Sequence, residues 1–155
     1  ITSFEETANT VRGIVDLSAI YKGQAQSYER TFVTHDYQVL QITDHVRGAR
    51  ERTEQQGRMS GTLRWRMLTR AQVDIANNEA ILLQDGKRLY FKILEPVEFT
   101  LKSAPIDPPP YYWDESNPGV KAIDLWCKTD DSGNRDITIL MSSDRKALER
   151  VAESL

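Results

Sequence analysis

The side chains that could do chemistry in this chain are few and lie far apart in its 155 residues. The histidines are His35 and His45, and a catalytic or metal-bound imidazole needs a second ligand or a group that orients its ring. His35 lies in a predicted hairpin turn, where a solvated surface role is expected. His45 follows Asp44, which could hold its tautomer, but a structural hydrogen bond is the simpler interpretation. We therefore expect no catalytic residue, no metal site and no bound cofactor in this chain.

The single cysteine, Cys127, cannot form a disulfide within the chain. It ends the apolar run that begins at Ala122, which is typical of a strand, and no basic residue beside it would stabilise a thiolate. We expect a buried, inert thiol. The sequence also contains no glycine-rich phosphate loop and no nucleophile elbow.

Basic residues form the first candidate binding feature. Arg64, Arg66 and Arg70 are predicted to line one face of a strand, and Arg88 and Lys92 to line a face of another. If these strands are neighbours, they present a cationic sheet face that suits carboxylate or sulfate groups, for which arginine offers two parallel hydrogen bonds. A solvated outer face with acidic partners across the strands is the alternative, and the residues alone favour it.

Three consecutive aromatic residues form the second candidate. Tyr111, Tyr112 and Trp113 lie in a proline-rich stretch, residues 105–119, which is predicted to be a semi-rigid surface loop. Exposed rings of this kind stack on sugars, but they also cap the end of a sandwich core. From the residues alone, core capping or a domain contact is the better supported interpretation.

Short strands must position these candidates. From Leu63 to Ile75 every second residue is apolar or small and most of the others are polar, which predicts one long strand or two strands joined by a bend. One dry and one wet face is typical of an antiparallel sheet. The other predicted strands are residues 1–7, 11–15, 28–34, 37–44, 80–83, 88–94, 97–102, 121–128 and 137–142, with the last two forming a hairpin.

These elements predict an all-β fold, an antiparallel β-sandwich of about nine or ten strands with a short C-terminal helix. We expect a sandwich domain over residues 1–143 and a helical tail over residues 144–155, with Ser143 as the helix N-cap. The predicted core comprises Leu63, Trp65, Met67, Val73, Ile75, Leu89, Phe91, Ile93, Phe99 and Leu101. Arg30 shares a face with Tyr28 and Phe32, so we expect it to be partly buried and paired with Asp16 or Asp44.

Composition excludes several functions. A net charge of −3 and a pI near 5.5 disfavour indiscriminate nucleic-acid binding. No run approaches the roughly 20 apolar residues that a membrane span requires. The chain begins Ile-Thr-Ser-Phe without methionine, so we expect it to be a fragment of a longer protein.

Several segments, in order and spacing, resemble the β-sandwich region of the heparinase II/III-like polysaccharide lyases, a superfamily that includes alginate and oligoalginate lyases. They fall within residues 10–105: Val15–Tyr21, Tyr28–Phe32, Gln41–Asp44, Trp65–Val73 and Ala80–Leu89. The resemblance implies a periplasmic or secreted parent enzyme that joins an α/α-toroid to this sandwich and cleaves uronate-containing polysaccharide by β-elimination.

In that family the toroid supplies most of the catalytic tyrosine, histidine, asparagine and arginine groups. The sandwich adds a histidine and often a zinc site in a His- and Asn-rich stretch that would precede residue 1, and no segment here matches it. The resemblance thus implies that this chain supports catalysis but does not itself catalyse. Tyr21, Arg30, Asp44 and Trp65 match family positions that look architectural. A carbohydrate-binding module that uses the loop of residues 111–113 and the arginine face is the alternative.

Overall fold

The computed structural model describes residues 1–49, 61–109, 111 and 113–155. Their strands form two antiparallel sheets, which confirms the predicted all-β sandwich. The elements are β1 (Ser3–Glu6), β2 (Val11–Asp16), β3 (Ser27–His35), β4 (Val39–Arg47), β5 (Thr62–Thr69), β6 (Gln72–Ala76), β7 (Glu79–Gln84), β8 (Lys87–Glu95), β9 (Thr100–Pro105), β10 (Lys121–Lys128), β11 (Arg135–Ser142) and α1 (Arg145–Ser154). The large sheet has the order β1-β2-β3-β4-β11-β8-β7-β6, and the small sheet has the order β5-β10-β9.

The core lies between the two sheets, and strand alternation selects its residues. Trp65 is 5% exposed, and its ring packs against Phe91 with the ring centroids 5.8 Å apart. All ten residues predicted for the core belong to one hydrophobic cluster, in which Trp65, Phe91 and Ile93 are buried and the others are partly buried. The period of two therefore identified the dry face of β5, β6, β8 and β9 correctly.

The alternating segment from Leu63 to Ile75 forms two strands that lie in different sheets. β5 ends at Thr69, whose hydroxyl accepts a hydrogen bond of 3.0 Å from the amide of Ala71. This bend moves the chain from the small sheet to the large one. The alternation continues through the bend because every second residue of both strands points into the core that the two sheets share.

The predicted hairpin of the last two strands is wrong. β10 pairs with β5 and β9, whereas β11 pairs with β4 and β8, so the chain crosses from the small sheet to the large one between these two strands. The connecting turn itself forms where it was expected, because the Asp130 carboxylate accepts from the amides of Ser132 and Asn134 at 2.9 and 2.8 Å. Turn chemistry is local, and it does not determine which strand the chain joins next.

The start of β9 and the helix N-cap also differ from the prediction. The strand predicted at residues 97–102 begins only at Thr100, and Val97 is 90% exposed. The helix N-cap is Asp144, not Ser143: its carboxylate accepts from the amides of Lys146 and Ala147 at 2.8 and 3.2 Å. α1 packs its buried residues against Val39 and Leu140 on the outer surface of the large sheet.

The two sheets differ in width. The main hydrophobic cluster draws on β3 and on the strands from β4 to β11, but it includes no residue of β1 or β2. At one end of the sandwich β6 and β9 approach each other. At the other end the large sheet extends past β5, which leaves an open cleft beside that strand.

Candidate functional site

The first candidate site is the outer surface of the small sheet, where β5, β10 and β9 bring charged and aromatic side chains together. In the strand register Arg64 lies opposite Trp126, and Arg66 lies opposite Asp124. Lys102 of β9 also lies opposite Asp124. We call this surface the small-sheet face; it comprises Arg64, Arg66, Lys102, Asp124, Trp126 and Lys128. Four of its residues are cationic and one is anionic, so the face is basic although the chain is acidic overall.

Arg66 and Asp124 form a bidentate ion pair on this face. The Nε and Nη2 atoms of Arg66 donate to the two carboxylate oxygens of Asp124 at 2.6 and 2.7 Å. The hydrogen bond from Arg66 lowers the pKa of Asp124, against the opposing effect of burial, and the charge of Arg64 adds to the lowering. Part of the positive charge predicted for the face is therefore neutralised within the sheet.

Arg64 has a different environment. Its guanidinium carbon lies 5.2 Å from the centroid of the Trp126 ring, which is the geometry of a cation–π contact. A guanidinium over an indole ring can still donate hydrogen bonds to a further partner. Arg64 and Trp126 together could therefore bind a carboxylate or sulfate group while presenting an aromatic surface to the adjoining sugar ring.

The other predicted cations do not join this face. Arg70 lies beyond the end of β5, in the bend that leads to β6, so the prediction that it shares a strand face with Arg64 and Arg66 is wrong. Arg88 and Lys92 lie on β8 of the large sheet. The strands that carry the two groups of cations are therefore not neighbours.

Lys92 is engaged in ion pairs on the large sheet. Its ammonium group lies 2.7 Å from Glu149 of α1 and 3.1 Å from Glu79 of β7. The hydrogen bond to Glu149, followed by that to Glu79, raises the pKa of Lys92 against the effect of burial. Lys92 thus links α1 to the large sheet through an ion pair. Its charge is engaged there and does not extend the small-sheet face.

The structure adds three residues that sequence reasoning missed, Lys102, Trp126 and Lys128. A signal for Trp126 and Lys128 was present, because they alternate with Leu125 and Cys127, which are buried. Their proximity to Arg64 could not be predicted, because it depends on the pairing of β10 with β5 and not with β11. Cys127 is buried as predicted, and burial raises the pKa of its thiol.

The aromatic loop forms a second candidate surface. The rings of Tyr111 and Trp113 are stacked, with centroids 4.9 Å apart and planes 3° from parallel. Tyr111 is 56% exposed and Trp113 is 65% exposed, so neither ring caps the core. Tyr112, which the sequence analysis grouped with them, lies outside the described residues.

The histidines have structural partners. The Nδ1 atom of His45 lies 3.0 Å from the carboxylate of Asp136, which also accepts a hydrogen bond of 2.6 Å from Arg47. Burial acts to raise the pKa of Asp136, but the hydrogen bonds from Arg47 and His45 lower it overall. His35 Nε2 lies 2.8 Å from the side-chain oxygen of Gln41.

Histidine, cysteine, aspartate and glutamate side chains are not grouped as metal ligands in the part of the chain that the structure describes. The helix in the same part of the chain is too short and too polar to cross a membrane.

A buried polar network lies below the cleft beside β5. It comprises Tyr28, Arg30 and Asp44, which share the inner surface of β3 and β4. Arg30 donates to both oxygens of Asp44 at 2.5 and 2.6 Å, and the Tyr28 hydroxyl donates to the same carboxylate at 2.5 Å. This confirms Asp44 as the partner of Arg30. The other candidate, Asp16, accepts instead from the amide of Ser18 at 2.8 Å.

Asp44 has no exposed surface, so these hydrogen bonds take the place of water around its carboxylate. Burial, and then the charge of Asp44, raise the pKa of Tyr28 well above its usual value, which keeps the phenol protonated as a donor. The hydroxyl of Tyr28 is thus engaged as a donor to Asp44 within the sheet. The network is therefore an architectural element of β3 and β4.

Solved structures share this fold. The heparan sulfate lyase HepC from Pedobacter heparinus matches 90% of this chain with a TM-score of 0.65 and 12% sequence identity. A heparinase III gene product matches 91% of the chain with a TM-score of 0.61 and 12% identity. This chain spans only 21% and 20% of those two proteins. No protein-family profile and no curated protein sequence matches the chain.

Proposed function

We propose that this chain is the β-sandwich part of a polysaccharide lyase that cleaves uronate-containing polysaccharide by β-elimination. The fold match carries the proposal, since 90% of the chain superposes on part of a heparan sulfate lyase. The order of the resembling segments within residues 10–105 supports it independently. The parent enzyme would act in carbohydrate metabolism in the periplasm or outside the cell.

The role that we propose for the chain is support of a catalytic domain. β-Elimination needs a base close to the hydrogen on C5 of the uronate and a group that stabilises the enolate-like charge. Each of the two histidine rings is hydrogen-bonded to a neighbouring side chain, and the Tyr28 hydroxyl donates to Asp44. We therefore assign the catalytic groups, and any zinc of the parent enzyme, to an α/α-toroid domain or other regions outside residues 1–155.

The acidic polysaccharide would contact the small-sheet face. A basic sheet surface steers a polyanion towards a catalytic domain without taking part in the chemistry. Arg64 on Trp126 is the strongest candidate contact, because Asp124 neutralises Arg66 while Arg64 retains its charge. Lys102 and Lys128 extend the same surface.

A comparison of two proteins tests the proposal: this chain alone and the full-length product of its gene. We expect the full-length product to release unsaturated uronate, detected by ultraviolet absorbance, from heparan, heparin, chondroitin, hyaluronan or alginate, and we expect this chain to release none. Activity of the isolated chain that disappeared in a His45→Ala variant would contradict the supporting role. A full-length product inactive on all five polymers would contradict the lyase assignment.

A carbohydrate-binding module is the second candidate function. The stacked and exposed rings of Tyr111 and Trp113 favour it, because such a platform binds the faces of sugar rings. This function would accept neutral sugars and would depend little on salt. The lyase-associated face would instead bind acidic sugars and weaken as salt increases.

A further inference from the structure

A groove of about 630 Å³ lies on the outer surface of the large sheet, beside α1. The helix packs on β4, β8 and β11, and the sheet continues past it through β7 and β6. Val73, Leu82 and Phe91 point into the core, so the residues on either side of each face this outer surface. We call this feature the large-sheet groove, and it lies on the opposite side of the sandwich from the small-sheet face.

The strand register orders the side chains that line the large-sheet groove. Six of them form two rows across β6, β7 and β8: Gln72, Leu83 and Arg88 in one row, and Asp74, Ile81 and Tyr90 in the other. The middle column, on β7, is aliphatic. The β6 column offers an amide and a carboxylate, and the β8 column offers a guanidinium group and an aromatic ring. Neighbouring strands lie about 4.8 Å apart, so the two outer columns are separated by roughly 10 Å.

The helix holds the aromatic side of the groove in place. Tyr90 packs against the hydrophobic cluster that α1 forms with the sheet, and the guanidinium carbon of Arg145 lies 5.8 Å from the centroid of its ring. The Nη2 and Nε atoms of Arg145 lie 3.3 Å from Glu79 and 3.9 Å from Glu149. Arg145 is therefore engaged within the protein and serves as a wall that orients the Tyr90 ring.

Arg88 and Asp74 carry opposite charges on the two sides of the groove. Among the described residues neither of them forms an ion pair, and the aliphatic column of β7 separates them. Leu83 in that column is 36% exposed, so an apolar strip lies between the two charges. A complementary ligand has an anionic group for Arg88, an apolar face for the strip and hydrogen-bond donors for Asp74.

From these observations we propose that the large-sheet groove binds one uronate unit of an acidic saccharide. Arg88 would bind the carboxylate with two parallel hydrogen bonds, the C–H face of the ring would lie on Leu83, and Asp74 would accept from hydroxyl groups. An α-amino acid fits less well, because its carboxylate and ammonium groups share one carbon while the charged columns are roughly 10 Å apart. The choice of a uronate rests on the proposed function, and the groove would be a second contact separate from the small-sheet face.

Nuclear magnetic resonance titration of the isotope-labelled chain tests the proposal, because shifted amide signals locate a ligand residue by residue. The probes are glucuronate, glucose, which has the ring without the carboxylate, and acetate, which has the carboxylate without the ring. We expect glucuronate to shift the amides around Leu83 and Arg88 and to bind there at least about tenfold more tightly than either other probe. Equal affinity for acetate would overturn the sugar assignment, and equal affinity for glucose would overturn the role of the carboxylate.

Variants at exposed positions test the individual contacts. Arg88→Ala should weaken glucuronate binding in the groove at least about tenfold, and Arg88→Lys should have an intermediate effect because it keeps the charge without the paired hydrogen bonds. Lys87→Ala is the matched control, since alternation directs the adjacent residue to the other side of β8, and it should leave binding unchanged. Asp74→Ala should weaken the binding of glucuronate but not of acetate, which has no hydroxyl group. Equal losses in Arg88→Ala and Lys87→Ala would overturn the site.

The outcome for the groove is separate from the outcome for the proposed function. Glucuronate shifts confined to β5 and β10 would assign uronate binding to the small-sheet face alone and overturn the groove. The same holds if glucuronate shifts no groove amide while the full-length product of the gene cleaves uronate polymers, and the proposed function then stands. Glucuronate binding in the groove with a full-length product inactive on all five polymers would contradict the lyase assignment and support the groove.

Discussion

Arg30 and Asp44 lie directly opposite each other on β3 and β4, and the guanidinium group binds both oxygens of a carboxylate that has no exposed surface. The Tyr28 hydroxyl completes this arrangement. A buried charge of this kind is stable only while its partners are present. Loss of either partner would therefore leave an uncompensated polar group inside the large sheet.

Removal of one partner should destabilise the fold strongly. We expect Arg30→Ala to lower the free energy of unfolding by about 3–5 kcal/mol, because it leaves the Asp44 carboxylate buried without a counter-charge. Chemical denaturation monitored by tryptophan fluorescence measures the change. Arg88→Ala, an exposed position on β8, is the control and should change stability by less than about 0.5 kcal/mol. If Arg30→Ala lowered the free energy of unfolding by no more than Arg88→Ala does, groups other than Arg30 would have to compensate the Asp44 carboxylate.

The core prediction concerns Trp65. Trp65→Ala should cost about 3–5 kcal/mol of unfolding free energy, since it empties the space of a large ring that packs against Phe91. Leu68 lies on the same strand but is 55% exposed, so Leu68→Ala provides the comparison on the outer surface. Denaturation midpoints that moved equally in the two variants would contradict the assignment of faces on β5.

The Arg66–Asp124 pair should make stability depend on pH. Because the pKa of Asp124 is lowered in the folded state, the pair stabilises the fold above the pKa of the unfolded aspartate, about 3.8, and this contribution is lost as the pH falls through the lower folded value. The stability difference between the natural chain and Arg66→Ala should therefore be constant near neutral pH and shrink below about pH 4. Thermal unfolding from pH 7 to pH 3 measures it.

The control for this pH dependence is Arg88→Ala, whose effect should not vary across the same range. A difference between the natural chain and Arg66→Ala that stayed constant down to pH 3 would mean that the pair does not shift the titration of Asp124. The exposure of Arg66 limits the size of the effect, because solvent screens a partly exposed ion pair.

Oligosaccharide binding separates the two proposed uses of the surface. We expect this chain to bind acidic oligosaccharides weakly and to lose affinity as salt increases, since screening acts over about 8–10 Å in ordinary buffers. Arg64→Ala should weaken this binding more than Arg66→Ala, because Asp124 already neutralises Arg66. Calorimetric titration with acidic and neutral oligosaccharides at low and high salt provides the measurement.

A Trp113→Ala variant completes that experiment. It should leave the binding of acidic sugars unchanged if the small-sheet face is the contact. Binding of neutral sugars that is insensitive to salt and lost in Trp113→Ala would favour the carbohydrate-binding module instead. Failure of both sugar classes to bind would assign a purely structural role to the outer surface of the small sheet.

The sequence alone determined which side is dry in β5, β6, β8 and β9. Successive side chains leave a strand on opposite sides, so alternation identified Trp65, Phe91 and Leu101 as core residues without knowledge of the sheet. It also predicted that Arg30 is partly buried and named Asp44 among its candidate partners, because a charge between two aromatic residues requires compensation. These features depend on a strand's own residues and on its neighbours in the chain.

Only the tertiary structure decided which strands lie side by side. Alternation is the same whether β10 pairs with β11 or with β5, and it passes unbroken through the bend at Arg70 where the chain changes sheets. Pairing depends on how all the apolar faces can be buried at once, which no single segment encodes. For that reason the sequence placed Arg70 on the arginine face wrongly and missed Trp126 and Lys102, which reach that face from β10 and β9.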